Sequence, residues 1–343
     1  MKLASLFSQY RNALEHAYSL TPMMRHTIDA ICRCRVHSSY LSHWQCQHCH
    51  NEQCLPLSCG NRHCPVCLHQ TTQHWLDNQL SQLLPVSYFM LTFTLPAQLR
   101  TLVKAHDKSV YTMMFEVLHS LLFDFAKRHK QLNNSIGFTA VLHTHSRQLQ
   151  FHPHLHVVLP AGAFNAKTQQ WQKAKGNYLF NVKALSKVWR ARMLERLCQQ
   201  FHVPPTPKNW VVNCQAVGQG APALKYLSRY LYRGVIQECN ILGVHNNLLT
   251  FQYQDSQTKQ MKTQTLPVLA FLWRVLQHVL PKGFRRTRQY GLLASANRLK
   301  LKRIQLLLKV IIFPFKKTKA ATRPCPKCKH AMQFIDILPM PDS

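Results

Sequence analysis

One ten-residue segment, Phe151 to Pro160, constrains the fold more than any other part of this sequence. It reads F-H-P-H-L-H-V-V-L-P, with apolar residues and histidines alternating as far as His156. Successive side chains of a β-strand point to opposite faces, so a period of two predicts a strand with one face in a hydrophobic core. The odd positions from 149 to 159 form that apolar face: Leu149, Phe151, Pro153, Leu155, Val157 and Leu159.

The other face of this strand carries His152, His154 and His156 at spacings of two. Imidazoles arranged in this way would converge on one spot of the sheet surface, and neutral imidazole is a common metal ligand. We therefore expect a metal site here and not merely a polar sheet surface. Pro153 lacks an N–H group for the sheet, which predicts either an edge strand or a bulge at that position.

The charge balance indicates the class of partner. The 343 residues include 43 Lys and Arg but only 12 Asp and Glu, giving a formal net charge of +31. Such a surface repels itself unless it meets a polyanion, so nucleic acid is the expected partner. A membrane surface is the alternative, but the basic residues are spread along the chain and not gathered on one amphipathic helix. With no signal pattern and no uninterrupted apolar span, we expect a cytoplasmic, nucleoid-associated protein without membrane contact.

The spacing of the cysteines predicts structural zinc. The pairs Cys46–Cys49 and Cys64–Cys67 are separated by an interval typical of zinc ribbons, and the pair Cys325–Cys328 lies near the end of the sequence. A two-residue gap lets both thiolates reach one tetrahedral ion, so free cysteines are the weaker interpretation. The zinc-ligand candidates are Cys34, Cys46, Cys49, Cys59, His63, Cys64, Cys67, Cys325 and Cys328. Spacing alone leaves open which of them share an ion.

A second chemically suggestive element is the helix predicted over residues 221–233, A-P-A-L-K-Y-L-S-R-Y-L-Y-R. At 100° per residue, the face opposite its leucines carries Tyr226, Arg229, Tyr230 and Arg233. A phenol is a poor nucleophile until a cation stabilises its oxyanion, and neighbouring arginines can bind phosphates. The helix therefore offers two candidate nucleophiles beside two phosphate-binding groups. The alternative is an amphipathic helix with half-buried tyrosines.

The distribution of acidic residues argues against an enzyme that holds its metal ions with clustered carboxylates. None lies between Asp124 and Glu195, the region around the histidine strand. Two-metal nucleases hold hard Mg²⁺ ions with clustered carboxylates, and the sequence shows no obvious cluster of that kind. A metal held by neutral imidazoles keeps its charge and would polarise a phosphate oxygen of the substrate. The pattern therefore argues against the three-carboxylate strand-transfer enzymes.

Several motifs of the sequence resemble those of a known family. His154-Leu155-His156 resembles the His-hydrophobic-His signature of the HUH single-strand endonucleases. The stretches V-L-H-T-H-S-R-Q-L-Q-F-H-P-H-L-H-V-V-L-P, K-Y-L-S-R-Y-L-Y-R and L-P-K-G-F-R-R-T-R-Q-Y-G-L-L-A resemble the two-tyrosine rolling-circle transposases of the insertion-sequence-91 type. Residues 57–67, L-S-C-G-N-R-H-C-P-V-C, resemble the zinc-binding domain of that family. The resemblance extends from about Cys34 to Leu293 in the same order.

The resemblance implies an α+β fold with an antiparallel-sheet nuclease domain behind a zinc-binding module. We expect the zinc module and a linking helix in residues 1–80, the nuclease domain in 81–318, and a tail with the last cysteine pair in 319–343. The resemblance also implies a catalytic Mg²⁺ or Mn²⁺ ion beside structural Zn²⁺, and cleavage of single-stranded DNA with a 5′-phosphotyrosine link.

Carried over to this sequence, the resemblance makes His154 and His156 metal ligands and Tyr226 and Tyr230 the paired nucleophiles. No motif fixes the third metal ligand; alternation along the strand favours His152, with Gln150 as the alternative. The candidate DNA-binding residues are Arg229, Arg233, Arg285, Arg286 and Arg288.

The predicted function is that of a transposase whose partners are transposon ends and target DNA, single-stranded at the cleavage site. A relaxase or replication initiator with the same chemistry is the nearest alternative. A non-catalytic, zinc-dependent DNA-binding protein is the alternative from another class, and it predicts DNA binding that is indifferent to His154 and Tyr226.

Overall fold

The computed structural model describes most of the chain. The described residues are 2–133, 135–174, 176, 178–219, 221–222, 224, 235–255, 258–310 and 323–340, with the backbone alone for 68–73 and 219. They form an α+β architecture of antiparallel sheets and flanking helices, which confirms the predicted fold class.

Helices and strands follow one another along these residues. The helices are α1 (Leu3–Ala17), α2 (Pro22–Arg33), α3 (Leu68–Leu80), α4 (Arg100–Ala105), α5 (Asp107–Lys127), α6 (Val182–Cys198), α7 (Val268–Leu276) and α8 (Arg298–Leu307). The first strands are β1 (Tyr40–Cys46), β2 (Glu52–Pro56), β3 (Ser87–Thr94), β4 (Gly137–His145), β5 (Phe151–Pro160), β6 (Gly162–Asn165) and β7 (Gln170–Lys173). The later strands are β8 (Val212–Gln219), β9 (Ile241–His245), β10 (Leu248–Gln254), β11 (Met261–Pro267), β12 (Thr287–Gly291), β13 (Arg323–Pro324) and β14 (Ala331–Pro339). None of the described helices is both long and apolar enough to cross a membrane.

The histidine strand β5 lies in the middle of the largest sheet, whose strand order is β12-β4-β5-β3-β8. The edge-strand interpretation of Pro153 is therefore wrong, and the bulge interpretation is confirmed. His154 pairs with His143 of β4, but Phe151 pairs with His145, so His152 and Pro153 together lie opposite the single residue between them on β4. An extra residue of this kind is a β-bulge, and it disturbs the alternation of side chains locally.

The apolar face of β5 packs into the main core, as its alternation predicts. Leu155, Val157 and Leu159 are fully buried in the same cluster as the buried residues of α5 and α6. Trp189 of α6 extends across this face and donates its indole N–H to the carbonyl of Thr94 at 3.0 Å. This burial fixes the orientation of β5, and with it the direction in which the histidines point.

The opposite face of the sheet is covered at one end by α3 and α8. Val141 and Val158 pack there in a cluster with Leu301 and Ile304 of α8. The hydroxyl of Thr139 donates to the side-chain carbonyl of Gln79 in α3 at 3.1 Å. The histidines of β5 occupy the remainder of this face, beyond Val158.

The N-terminal region packs closely against later parts of the chain. Residues of α1 and α2 share a hydrophobic cluster with β9, β10 and α7. Arg62 donates to the carbonyl oxygens of Phe284 at 2.6 Å and Pro281 at 2.7 Å. These contacts attach the cysteine-rich segment to the loop that leads into β12.

The C-terminal segment folds back onto the N-terminal region. Strand β14 pairs with β1, which gives a second sheet of order β13-β14-β1-β2. The boundaries at residues 80 and 318 remain predictions. In space, however, the described part of the 319–343 tail lies against the cysteine-rich module and not apart from it.

Candidate functional site

Three buried histidines converge on the sheet face opposite the main core. They are His143 of β4 and His154 and His156 of β5, and one ring nitrogen from each lies within 4.8 Å of the others. His143 and His154 are direct cross-strand partners, so the pairing of β4 with β5 sets their separation. Their side chains are 6%, 9% and 8% exposed, respectively. Such a group has the donor chemistry of a metal site with three nitrogen ligands.

Hydrogen bonds orient two of these rings. The Nδ1–H group of His154 donates to the carbonyl oxygen of His152 at 2.6 Å. Nδ1 of His156 lies 3.0 Å from the hydroxyl oxygen of Thr92 on β3. A histidine whose Nδ1 is held in this way presents Nε2 as its ligand atom, which is the usual arrangement around protein-bound metals.

Burial keeps the three imidazoles neutral. Desolvation lowers the pKa of His154 to about 4. Burial, reinforced by the neighbouring histidines, holds the pKa values of His143 and His156 well below their ordinary range. Because only the neutral ring can donate its lone pair, the site is ready to bind a cation at neutral pH without first losing protons.

In the structure, the third histidine of the converging group is His143 of β4, whereas strand alternation predicts His152 of β5. His152 and Pro153 form the bulge, and His152 is not among the three residues whose ring nitrogens converge. Gln150, the alternative, precedes the strand and lines a separate cleft. A sequence signal for His143 exists, since a short connection between the two strands places it across from His154.

The two predicted nucleophiles, Tyr226 and Tyr230, lie outside the described residues, as do Arg229 and Arg233. The start of their segment is described at Leu224, which is buried in the same cluster as Val141 and Val158. Val158 follows His156 by two positions on β5, on the same face of the sheet. The described approach to the tyrosine segment therefore packs on the histidine face and not on the opposite one.

The three remaining candidate arginines occupy different environments. Arg285 is exposed to solvent. Arg286 is half-buried, and its charge lies close enough to contribute, after burial, to the lowered pKa of His145. The Arg288 guanidinium lies 4.3 Å from the centroid of the Phe115 ring in α5, which places it on the core side of the sheet, away from the three histidines. The structure thus does not gather these arginines into one patch.

The first cysteine group joins Cys34, Cys59, Cys64 and Cys67, whose sulfur atoms all lie within 4.8 Å of one another. Sγ of Cys67 is 3.4 Å from that of Cys34 and 3.5 Å from that of Cys59. Four thiols at such distances fit a closed tetrahedral zinc site. His63 is not part of the group, because its Nε2 accepts a hydrogen bond from the backbone N–H of Leu280 at 3.3 Å.

The second cysteine group joins Cys46, Cys49, Cys325 and Cys328, again within 4.8 Å of one another. The two N-terminal C-x-x-C pairs, whose interval in the sequence is typical of a zinc ribbon, therefore do not meet in one site. Each is completed by cysteines from elsewhere. The remaining predicted zinc candidates are thereby divided between two groups of four thiols.

A basic and aromatic cleft of about 250 Å³ opens beside the start of β5. The rings of Tyr18 and Trp273 stack along it with centroids 4.6 Å apart and planes 7° from parallel. Arg100, Lys104 and Arg274 also line it, and none of its described lining residues is acidic. Burial, and then the charge of Arg100, lower the pKa of His152, so this cleft adjoins the end of the histidine strand.

The family models and the curated relatives that match this chain are transposases. A family model described as "Putative transposase" matches residues 137–300, and one described as "Transposase zinc-binding domain" matches residues 6–95. The chain is 29% identical over 377 residues to "Putative transposase y4qJ" of Sinorhizobium fredii (strain NBRC 101917 / NGR234), covering 98% of this chain and 94% of the relative. It is 27% identical over 295 residues to "Transposase for insertion sequence element IS801" of Pseudomonas savastanoi pv. phaseolicola, covering 78% and 70%. A solved structure, a conjugative relaxase TrwC in complex with mutant OriT DNA, aligns at 14% identity with a TM-score of 0.32, covering 65% of this chain and 75% of that one.

Proposed function

Because this chain belongs to the insertion-sequence-91 family of transposases, which carry an N-terminal zinc-binding domain, we propose that it nicks and rejoins single-stranded DNA during rolling-circle transposition. The observation that carries this proposal is the group of three neutral, buried imidazoles on the sheet face. A transposase acts on DNA, and a phosphodiester is the substrate group on which such a site could work.

The proposed ligands of the catalytic ion are His143, His154 and His156. The donor set fits a divalent cation, and three nitrogens without a carboxylate favour Mn²⁺ over the harder Mg²⁺. When bound, the ion would supply positive charge to polarise an oxygen of the scissile phosphate. Thr92 and the carbonyl of His152 hold two of the rings, which limits how far the ligands must reorganise on binding.

The proposed nucleophiles are Tyr226 and Tyr230. The phenolic oxygen of one tyrosine bonds to phosphorus, the bond to the 3′-oxygen breaks, and the proton lost by the phenol is balanced by one gained at that oxygen. The products are a 5′-phosphotyrosine and a free 3′-hydroxyl end. Leu224 packs on the histidine face, so the segment that carries both tyrosines begins on the same side of the sheet as the proposed metal ligands.

The cleft beside β5 is the proposed path for single-stranded DNA towards the histidines. Three cations, Arg100, Lys104 and Arg274, could contact successive phosphates, and a base could stack at the edge of the Tyr18–Trp273 pair. Stacking requires an unpaired base, so this surface selects single strands over duplex DNA. The proposed natural partners are the transposon ends and the target DNA.

Structural Zn²⁺ fits the cysteine-rich module, and the proposed ligands of its first ion are Cys34, Cys59, Cys64 and Cys67. Between the second and third of these lies Arg62, whose guanidinium binds the carbonyl oxygens of the 280–284 loop. The first zinc ion would therefore fix a segment that docks against the nuclease sheet. The cysteine-rich module would thus be held against the nuclease domain through Arg62.

A covalent-adduct experiment tests the proposed chemistry. Full-length protein incubated with single-stranded oligonucleotides from its own element ends and Mn²⁺ should give a protein–DNA adduct that survives a denaturing gel. A variant with both Tyr226→Phe and Tyr230→Phe is the matched control and should give none. If the unmodified protein binds the oligonucleotide but forms no adduct with either Mn²⁺ or Mg²⁺, the non-catalytic DNA-binding alternative is favoured.

A further inference from the structure

We propose that Cys46, Cys49, Cys325 and Cys328 bind a second structural zinc ion, which joins the C-terminal segment to the N-terminal module. The zinc-binding family model ends at residue 95, so it contains only half of this site. The two cysteine pairs are about 280 residues apart in the sequence, as the separations of 282 and 276 between facing cysteines show. We call this site the terminal clasp. The terminal clasp is independent of the proposed DNA chemistry.

The sulfur positions of the terminal clasp fit one tetrahedral ion. Sγ of Cys46 lies 3.4 Å from that of Cys328, and Sγ of Cys49 lies 3.5 Å from that of Cys325. A Zn–S distance of about 2.3 Å in a tetrahedron places the sulfurs roughly 3.8 Å apart. Cys46 and Cys325 are fully buried, so each pair contributes one enclosed thiol and one nearer to the surface. Zinc in a four-thiolate set needs no further ligand.

The two cysteine pairs also form turns of the same shape. In the first turn, the backbone N–H of His50 donates to the carbonyl of Cys46 at 2.9 Å; in the second, that of Lys329 donates to the carbonyl of Cys325, also at 2.9 Å. His50 and Lys329, each four residues after the first cysteine of its pair, both adopt the left-handed conformation, with φ of 54° and 63°. Two matching turns that face each other across four thiols are the arrangement of a zinc ribbon.

The surrounding structure explains why this junction needs a metal. Strand β14 pairs with β1 from Met332 to Pro339, with one irregularity at Ile335, but most of its side chains are exposed. The fully buried residues of the local cluster are only Cys46, Cys325 and Met332, with Trp44 packed against them. A core this small rarely stabilises a fold by itself, and small modules commonly depend on a structural ion. The clasp would therefore supply most of the free energy that holds β14 in place.

Zinc counting tests the clasp directly. Elemental analysis of the purified full-length chain should give about two zinc ions per chain, one for each four-thiol group. The C325S/C328S variant and the C46S/C49S variant should each lose one ion, and the variant with all four substitutions should lose no more than either. A C198S/C239S variant, which removes exposed cysteines elsewhere, should keep the full count. An unchanged count in C325S/C328S, or a larger loss in the fourfold variant, would overturn the proposal.

Thiol labelling by N-ethylmaleimide, read by peptide mass spectrometry, separates clasp loss from general unfolding. In C325S/C328S, Cys46 and Cys49 should become reactive while Cys34, Cys59, Cys64 and Cys67 stay protected. Protection of the latter four shows that the rest of the module remains folded. If Cys46 and Cys49 stay protected without Cys325 and Cys328, they bind their ion without the C-terminal segment and the clasp does not exist. If the six remaining thiols of the two groups become reactive together, the two groups unfold as one cooperative unit. The proposal of an independent second ion is then wrong.

Discussion

The three-histidine site and the terminal clasp are both candidate metal sites, but the chain builds them in opposite ways. The histidines come from adjacent strands within the span 143–156, in the centre of a five-stranded sheet whose other face is fully packed. The clasp joins two turns far apart in the sequence. Strand β14, which follows the second turn, is mostly exposed. Packing therefore fixes the first site, whereas the second depends on its own ligands.

The two sites therefore differ in what a bound metal would contribute. At the histidine site, hydrogen bonds and burial hold the histidines in place, so the proposed ion would serve chemistry and not folding. At the clasp, little apolar surface is buried, so binding of the proposed zinc ion would be coupled to folding of the segment.

Removal of one histidine ligand should abolish DNA cleavage while leaving the fold intact. His143→Ala should reduce the cleavage rate by more than about 100-fold, since even the loss of a supporting group around a metal ligand costs 10–100-fold. His152→Ala is the matched control and should retain most activity, because its backbone carbonyl still accepts from His154. Single-turnover cleavage, with circular dichroism to check folding, measures both. Equal loss in the two variants would restore His152 as the third ligand.

Substitution of the tyrosines should separate cleavage from strand transfer. A single Tyr226→Phe or Tyr230→Phe change should retain some nicking of an oligonucleotide but lose completed transfer, because the second cleavage must occur while the first end is still held. The double variant should lose both activities, and Tyr232→Phe should lose neither. Labelled oligonucleotides resolved on a denaturing gel report each step. Covalent adducts in the double variant would place the nucleophile elsewhere.

Zinc removal should affect the two regions unequally. After treatment with a strong zinc chelator, amide hydrogen exchange in β1 and β14 should increase sharply, while exchange in β4 and β5 stays close to its original rate. The physical reason is that the central sheet is held by its large buried core, whereas the smaller sheet has little buried core and would depend on the proposed zinc ion. Exchange measured by mass spectrometry distinguishes the segments. Equal deprotection of both sheets would mean that the histidine site also depends on zinc.

The pH dependence of stability tests the junction between the central sheet and the zinc module. There His278 is buried beside His145 of β4 and close to His63 of the zinc module. Burial lowers the pKa of His278 to about 3, whereas an unfolded histidine titrates near 6.5. Below pH 6.5 the unfolded chain takes up a proton at this histidine that the folded chain does not. The contribution of neutral His278 to the unfolding free energy is therefore complete above pH 6.5 and is lost as the pH falls towards 3. Between pH 7 and pH 5 this amounts to about 2 kcal/mol of unfolding free energy.

The His278→Gln variant removes that titration and keeps a donor for the carbonyl of Leu149, which lies 3.2 Å from Nε2. We expect the variant to be less stable at pH 7 but to lose less stability on acidification than the unmodified protein. Denaturant unfolding at the two pH values measures the difference. Other buried histidines, including His143 and His145, titrate in both proteins, so only the difference between the two slopes is informative.

The sequence predicts local features of this molecule better than distant ones. Alternation from Leu149 to Leu159 identifies the strand, its buried face and two of the converging histidines, since each depends only on a period of two. The prediction of His152, with Gln150 as the alternative, rests on alternation along β5 alone, whereas the bulge is a property of the pairing with β4. The choice between an edge strand and a bulge at Pro153 likewise required the neighbouring strands.

The pairing of the cysteines illustrates the same limit over a longer range. C-x-x-C spacing indicates which residues can bind zinc, but several pairings of three such turns are equally allowed by spacing. Cys46–Cys49 joins Cys325–Cys328 because β14 pairs with β1, a contact between the two ends of the chain. For the same reason, a division of the sequence into consecutive segments separates the C-terminal tail from the module against which it folds.

The smallest expected effect concerns the stacked aromatic pair in the basic cleft. Trp273→Ala should weaken binding of single-stranded DNA by about 1 kcal/mol, or roughly fivefold, at the low end of the range for a base–aromatic stack because Tyr18 already covers one face of the indole. Binding of duplex DNA should change less, since paired bases cannot stack there. Trp171→Ala, a half-buried tryptophan in β7, is the matched control and should change neither. Fluorescence anisotropy with labelled oligonucleotides at two salt concentrations measures the affinities.

The loss of affinity from Trp273→Ala should persist at high salt. Lys104→Ala should instead flatten the salt dependence, because only the cation releases counterions from phosphate. If Trp273→Ala weakens single-stranded and duplex binding equally, the cleft is only a general electrostatic surface, and the path of the single strand towards the three histidines lies elsewhere.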